Sequence, residues 1–247
     1  MKKTDIKRIA LIGMFSALAF IVLLLCRIPI VLFLKYEPKD VIITIGGFIL
    51  GPTASLLISV IVSLIELATI SGTGIWGLIM NVLSTCSFAC TAAYIYKKDR
   101  TLRGAVLGLI TGCIFMSAVM IAWNWLITPI YMKVPRETVQ GMLIPTFLPF
   151  NLLKGSLNAA LTMLLYKPVI EVLRRASLVT KQEGSKKRFN PIWVVLSFIL
   201  AVLLGLLFYF FSDASKSDKA SKEEDHGSEI SEVSEQSEES VLGKTTE

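Results

Sequence analysis

Several runs of about 20 apolar residues follow one another along this chain, and runs of that length leave few folds open. About 20 apolar residues make a helix long enough to cross the hydrocarbon of a bilayer. Hydrophobic residues make up 53% of the 247 and mean hydropathy is +0.66. Only 18% of residues are charged, against about 25% in soluble domains. The chain therefore reads as an all-α, polytopic membrane protein whose core is the interior of a helix bundle. Its formal charge of +6 does not indicate nucleic acid, because the basic residues alternate with the apolar spans.

The N-terminal segment Met1-Lys2-Lys3-Thr4-Asp5-Ile6-Lys7-Arg8 has the charge of a signal-peptide n-region, and Ala17-Leu18-Ala19 mimics a cleavage site. The apolar run nevertheless continues through Cys26, beyond the usual 7–15 or so residues, so the segment is read as a retained first helix. Periodicity and turn residues predict helices over about 8–27, 39–50, 53–70, 76–96, 104–126 and 147–176. Gly51-Pro52 breaks the second from the third. The segments before 39 and over about 127–146, the latter with Pro129, Pro135 and Pro145, read as loops. Residues 1–177 thus form a six-helix transmembrane unit. Residues 178–190 are a basic linker, 191–211 an additional transmembrane helix, and 212–247 an acidic Ser/Glu-rich tail too polar to fold alone.

Lysine and arginine set the orientation. The N-terminal stretch has four, the 97–103 loop four and the 167–190 stretch seven, against five (Arg27, Lys35, Lys39, Lys133, Arg136) on the opposite side. That bias places the N-terminus in the cytoplasm and, if 191–211 spans, the tail outside.

Lys154 lies inside the sixth apolar run, roughly 10–12 Å from its outer end at 1.5 Å per residue. A charge at the centre of a bilayer helix costs about 2.5–3.5 kcal/mol on insertion scales, so such a residue usually marks a site or pathway. Asn151 and Asn158 share its helix face. Asn124, between Trp123 and Trp125, lies near the outer end of the fifth helix. Trp76 and Asn81 lie near that of the fourth and Glu66 near that of the third, while Tyr36, Glu37, Lys39 and Asp40 are in or beside the first outer loop. These scarce polar groups converge on the outer leaflet, as expected of a site that captures a solute from outside. Each also has an ordinary reading: single membrane asparagines often bond helix to helix, interfacial tryptophans anchor, Glu66 can pair with a loop lysine, and Lys35 and Lys39 can be solvated charges. The four cysteines lack a histidine or carboxylate companion and read as packing residues. On the first helix Ala10, Gly13 and Ala17 form a small-residue face suited either to internal packing or to docking on a membrane partner. The chain has no G-x-x-x-x-G-K-[ST], H-E-x-x-H or G-x-S-x-G motif, so it is read as a non-enzyme that calls for no cofactor and no metal.

The segments LKYEPKDVIITIGGFILGP (34–52), GIWGLIMNVLS (74–84), WNWLITPIY (123–131) and LPFNLLKGSLNAA (148–160) resemble the substrate-binding S components of energy-coupling factor (ECF) transporters, specifically the riboflavin-binding type. The resemblance covers about residues 5–177. It implies six helices enclosing one vitamin near the extracellular face, with Asn124, Asn151 and Lys154 bonding the flavin ring or ribityl chain and the 30–40 loop as a cap. Asn81, Trp76, Tyr36, Glu37, Asp40 and Asn158 complete the expected ligand-binding set. It also implies a transmembrane coupling subunit, docked through the first helix and driven by two ATP-binding subunits. Met14 stands four after Ala10, so a strict A-x-x-x-A is absent and the Ala10/Gly13/Ala17 face takes its place. A flat isoalloxazine suits an apolar slot with a few amides, since asparagine matches its mixed donor and acceptor edge. A neutral vitamin does not itself need Lys154, which must then find a protein or carbonyl partner. Without one, a flavin nucleotide such as FMN fits better. Another vitamin, or a membrane flavin-binding protein that does not transport, are the further alternatives.

Overall fold

The computed structural model describes residues 3–31 and 34–175. The expected linker, additional helix and tail, from residue 178 on, lie outside the described residues. Helix α1 (Lys3–Leu25) leads into a small antiparallel hairpin, β1 (Ile28–Val31) and β2 (Leu34–Tyr36), with Ile28 paired to Tyr36. Helices α2 (Lys39–Leu50), α3 (Pro52–Thr69), α4 (Gly74–Lys98) and α5 (Leu102–Leu126) follow. Short helices α6 (Thr128–Met132) and α7 (Arg136–Met142) and a π-helical turn (Leu143–Phe147) then run into α8 (Leu148–Arg175), the sixth long helix. The bundle is α1–α5 plus α8. In lipid a helix satisfies its own backbone hydrogen bonds, which is why apolar runs of this length take that form. By length and composition α1, α3, α4 and α5 can each cross a membrane.

Two expected loops turn out to be structured. The segment before Lys39 is the hairpin, and 127–146 holds α6, α7 and the π turn. The prolines expected to mark a loop there mostly start helices: Pro129 opens α6, and Pro135 caps α7.

Helix α2 is about 18 Å long at 1.5 Å per residue, too short to cross alone. Ten of its 12 residues, Lys39 through Phe48, are buried by its neighbours. Gly51 ends it at φ 97°, a left-handed conformation that favours glycine, and Pro52 starts α3 at once. Helices α4 and α5 approach closely because α5 presents Gly108 and Gly112. A Cβ there would lie 2.7 Å from the carbonyl oxygens of Ala92 and Phe88, so no larger residue fits without a shift. Thr101 caps α5, its Oγ1 accepting from the Gly104 amide at 3.2 Å. Phe15, Ile43, Ile45, Ile58, Val62, Phe88 and Met116 form the centre of the apolar core. A second apolar cluster, Leu34, Val139, Phe147 and Phe150, holds the hairpin against α7 and the start of α8. It roofs the end of the bundle where the polar residues gather.

Candidate functional site

A cavity of about 250 Å³ lies at the hairpin end. Arg27, Leu34, Lys35 and Glu37 contribute from the α1 end and the hairpin, Gly72 and Thr73 from the α3–α4 turn, and Met80, Asn81 and Ser84 from α4. Met120 and Asn124 face it from α5, and Phe150, Asn151 and Lys154 from α8. The wall thus joins methionine and phenylalanine surface to a few polar groups, the usual make-up of a small-molecule site. Its size is just under the roughly 300–1,000 Å³ of such sites.

Each polar group is held by the fold. Asn151 Nδ2 donates to the Phe147 carbonyl at 2.7 Å, and Asn124 Nδ2 donates to the Met120 carbonyl at 2.7 Å. Asn124 Oδ1 accepts from Thr128 Oγ1 at 2.8 Å. Each amide keeps one N–H and acceptor capacity for a ligand. Lys154 Nζ lies 3.1 Å from Asp40 Oδ2 and donates to Ser84 Oγ at 3.3 Å, leaving one of its three N–H bonds. The lysine therefore has the protein partner that a neutral ligand requires.

Behind the wall Asp40 also accepts from Thr85 Oγ1 at 2.7 Å and from Asn158 Nδ2 at 3.3 Å, and Tyr36 OH donates to Asn158 Oδ1 at 3.1 Å. Burial, and then the nearby Asp40 carboxylate, push the Tyr36 phenol well above its ordinary range, so it stays a neutral donor. A second network closes into a ring. Glu37 and Glu66 are each shared between Arg27 and Lys39 at 2.6–2.9 Å, and Asn81 Nδ2 donates to Glu66 Oε2 at 2.9 Å. This ring ties the end of α1, the base of the hairpin and the start of α2 to α3 and α4. Lys39, expected as a solvated charge, is 1% exposed within it; Lys35 is exposed. The α2 start lies against α3, where Glu66 offers the carboxylate, so the expected pairing of Glu66 with a loop lysine is met by Lys39 at 2.6 Å.

Of the expected binding residues, Asn81, Asn124, Asn151, Lys154 and Glu37 line the cavity. Asp40, Asn158 and Tyr36 form the layer behind it. Trp76 lines a separate space of about 40 Å³ with Trp123 and Tyr131, and Thr73 and Met80 border both spaces. Arg27, Ser84, Met80, Met120 and Phe150 also belong to the wall and were not expected there. Ser84 follows Asn81 by three residues and Met120 precedes Asn124 by four, so helical spacing carried a signal for both. Arg27 carried none, because its two carboxylates are far away in sequence. On α1 Ala10, Gly13 and Ala17 are all exposed, and a Cβ on Gly13 would meet nothing within 4 Å, so this face does not pack inside the bundle.

Bundle and cavity define a multi-pass helical membrane protein with a solute-sized pocket of mixed apolar and polar lining at one end. The model of the ECF transporter substrate-specific component matches residues 7–166, and the chain belongs to that family. It is 29% identical over 178 residues to the riboflavin transporter RibU of Staphylococcus aureus (strain TCH60), covering 68% of this chain and 93% of that protein. It is 25% identical over 189 residues to the riboflavin transporter FmnP of Bacillus subtilis (strain 168), covering 70% and 98%. The solved structure of the S component of a bacterial ECF transporter superposes with a TM-score of 0.59 at 28% identity, covering 69% of this chain and 99% of that one.

Proposed function

We propose that this protein binds riboflavin with high affinity in the hairpin-end cavity, from the extracellular side, and delivers it to an ATP-driven ECF transporter as its S component. The observation that carries the reading is the set of fixed amides, Asn124 and Asn151, and the paired Lys154 beside Phe150, Met80 and Met120. The apolar groups suit the flat ring, and the amides suit its carbonyl and imide edge. Lys154 offers its remaining N–H to a carbonyl or hydroxyl. The riboflavin transporters among the relatives support the same ligand.

The exposed Ala10, Gly13 and Ala17 face of α1 is where the transmembrane coupling subunit docks, and two ATP-binding subunits drive the cycle. The protein lies in the cell membrane with the N-terminus cytoplasmic. Residues 1–177 form the binding domain, 178–190 a linker, 191–211 a further span and 212–247 an extracellular tail.

The test is to purify the protein in detergent and titrate riboflavin by quenching of flavin fluorescence. Saturable binding well below micromolar concentration is expected, and no binding at micromolar riboflavin overturns the reading.

A further inference from the structure

The buried charges around the cavity cancel. Arg27 and Lys39 are balanced by Glu37 and Glu66 in the closed ring, and Lys154 is balanced by Asp40 at 3.1 Å. Among the described residues Lys35 is the other charged side chain on the wall, and it is exposed, where water and salt screen it. Asp40 itself is 0% exposed and does not line the cavity. It stands in the first turn of α2, where the helix dipole favours a carboxylate, and Thr85 and Asn158 hold it in place.

We infer that Asp40 is the residue that sets ligand charge: by holding and neutralising Lys154, it makes the cavity select an uncharged flavin over a phosphorylated one. This rests on the flavin reading above. Asp40 is a positioning residue, since it reaches the cavity only through Lys154. A lysine without its counter-ion would present a full positive charge to the bound molecule and draw in an anion. Paired, it keeps a directional N–H for a carbonyl without that preference. One unbalanced charge about 10 Å from a phosphate, at an effective dielectric near 20, changes relative affinity on the order of tenfold for each negative charge on the phosphate before salt screening.

The experiment measures riboflavin and FMN affinities by fluorescence quenching, at one ionic strength, for the full-length protein in detergent. Four proteins are compared: wild type, Asp40→Asn, Lys154→Met and the double variant. The readout is the ratio of the FMN Kd to the riboflavin Kd. It should fall on the order of tenfold in Asp40→Asn. It should rise in Lys154→Met, where Asp40 is left unbalanced, and return toward wild type when both charges are gone. A merely structural contact would weaken both ligands equally, and an unchanged ratio in the single variants overturns the inference. If Asp40→Asn alone does not fold, the double variant compared with Lys154→Met decides: the ratio should fall when Asp40→Asn is added to Lys154→Met, and an equal ratio overturns the inference. A wild-type protein that binds riboflavin but gives no ratio change sinks only the role of Asp40. One that binds neither flavin sinks the flavin reading and this inference with it.

Discussion

At Asn124 and Asn151 a hydrogen bond back to the preceding helical turn fixes the side chain; Asn151 keeps a donor and its acceptor free, while the Asn124 oxygen is already shared with Thr128. Replacing Asn151 by Ala removes both free groups without leaving a charge unpaired. A site that loses a matched hydrogen-bonding group is weakened by about 1–3 kcal/mol. The riboflavin Kd of Asn151→Ala should therefore rise roughly 10- to 100-fold, with little change in thermal unfolding. Equal affinity in a fluorescence titration would remove Asn151 from the contact set. Lys39→Met acts on stability instead. It leaves Glu37 and Glu66 short of a partner in a buried ring, and breaking a buried pair costs about 3–5 kcal/mol. A clear drop in the unfolding temperature in detergent is expected, and an unchanged one would mean that water or Arg27 takes over. The asparagines and Lys154 were legible in the sequence because polar residues in apolar runs stand out. For Lys39 only its pairing with Glu66 was legible, not its burial, and Arg27 was not legible at all, since both looked like ordinary loop charges. Only the meeting of α1, the hairpin, α2 and α3 makes them a ring.

The six long helices were legible almost to their ends, because length, apolar content and the Gly51-Pro52 break survive without tertiary context. The hairpin was hidden: its strands have four and three residues, and Pro29 and the charges after Leu34 disguise the pattern. Pro129 and Pro135 misled in the other direction, marking helix starts rather than a loop, and Pro145 sits inside the π-helical turn. What α1 presents to its surroundings was also open from sequence, since a small-residue face suits internal packing as well as docking. Its exposure removes internal packing and leaves docking as the proposal to be tested. Ala17→Trp on that face should leave riboflavin affinity unchanged, because α1 contributes nothing from Ala17 to the cavity. It should abolish or strongly reduce uptake in cells that carry the coupling and ATP-binding subunits. Normal uptake with normal expression would move the docking surface to another helix.

For the molecule as a whole, orientation decides whether the cavity can work as an importer's site. The hairpin end must face outward for Asn124, Asn151 and Lys154 to meet a solute from outside, and the Lys/Arg distribution supports that placement. Accessibility labelling can read it directly. The four native cysteines are free, and Cys26 is exposed at the hairpin end, so a background with all four replaced is needed. In that background Lys35→Cys should react with a membrane-impermeant maleimide on intact cells. Arg100→Cys, in the α4–α5 turn at the opposite end, should react only after permeabilisation. The reverse pattern would turn the cavity toward the cytoplasm and exclude capture from outside. The same cells test the proposed span over 191–211: a protease added outside should clip the acidic tail. A protected tail alongside a labelled Lys35→Cys would keep the importer reading and remove the extra span, because the six crossings proposed for residues 1–177 would return the chain to the side on which it began.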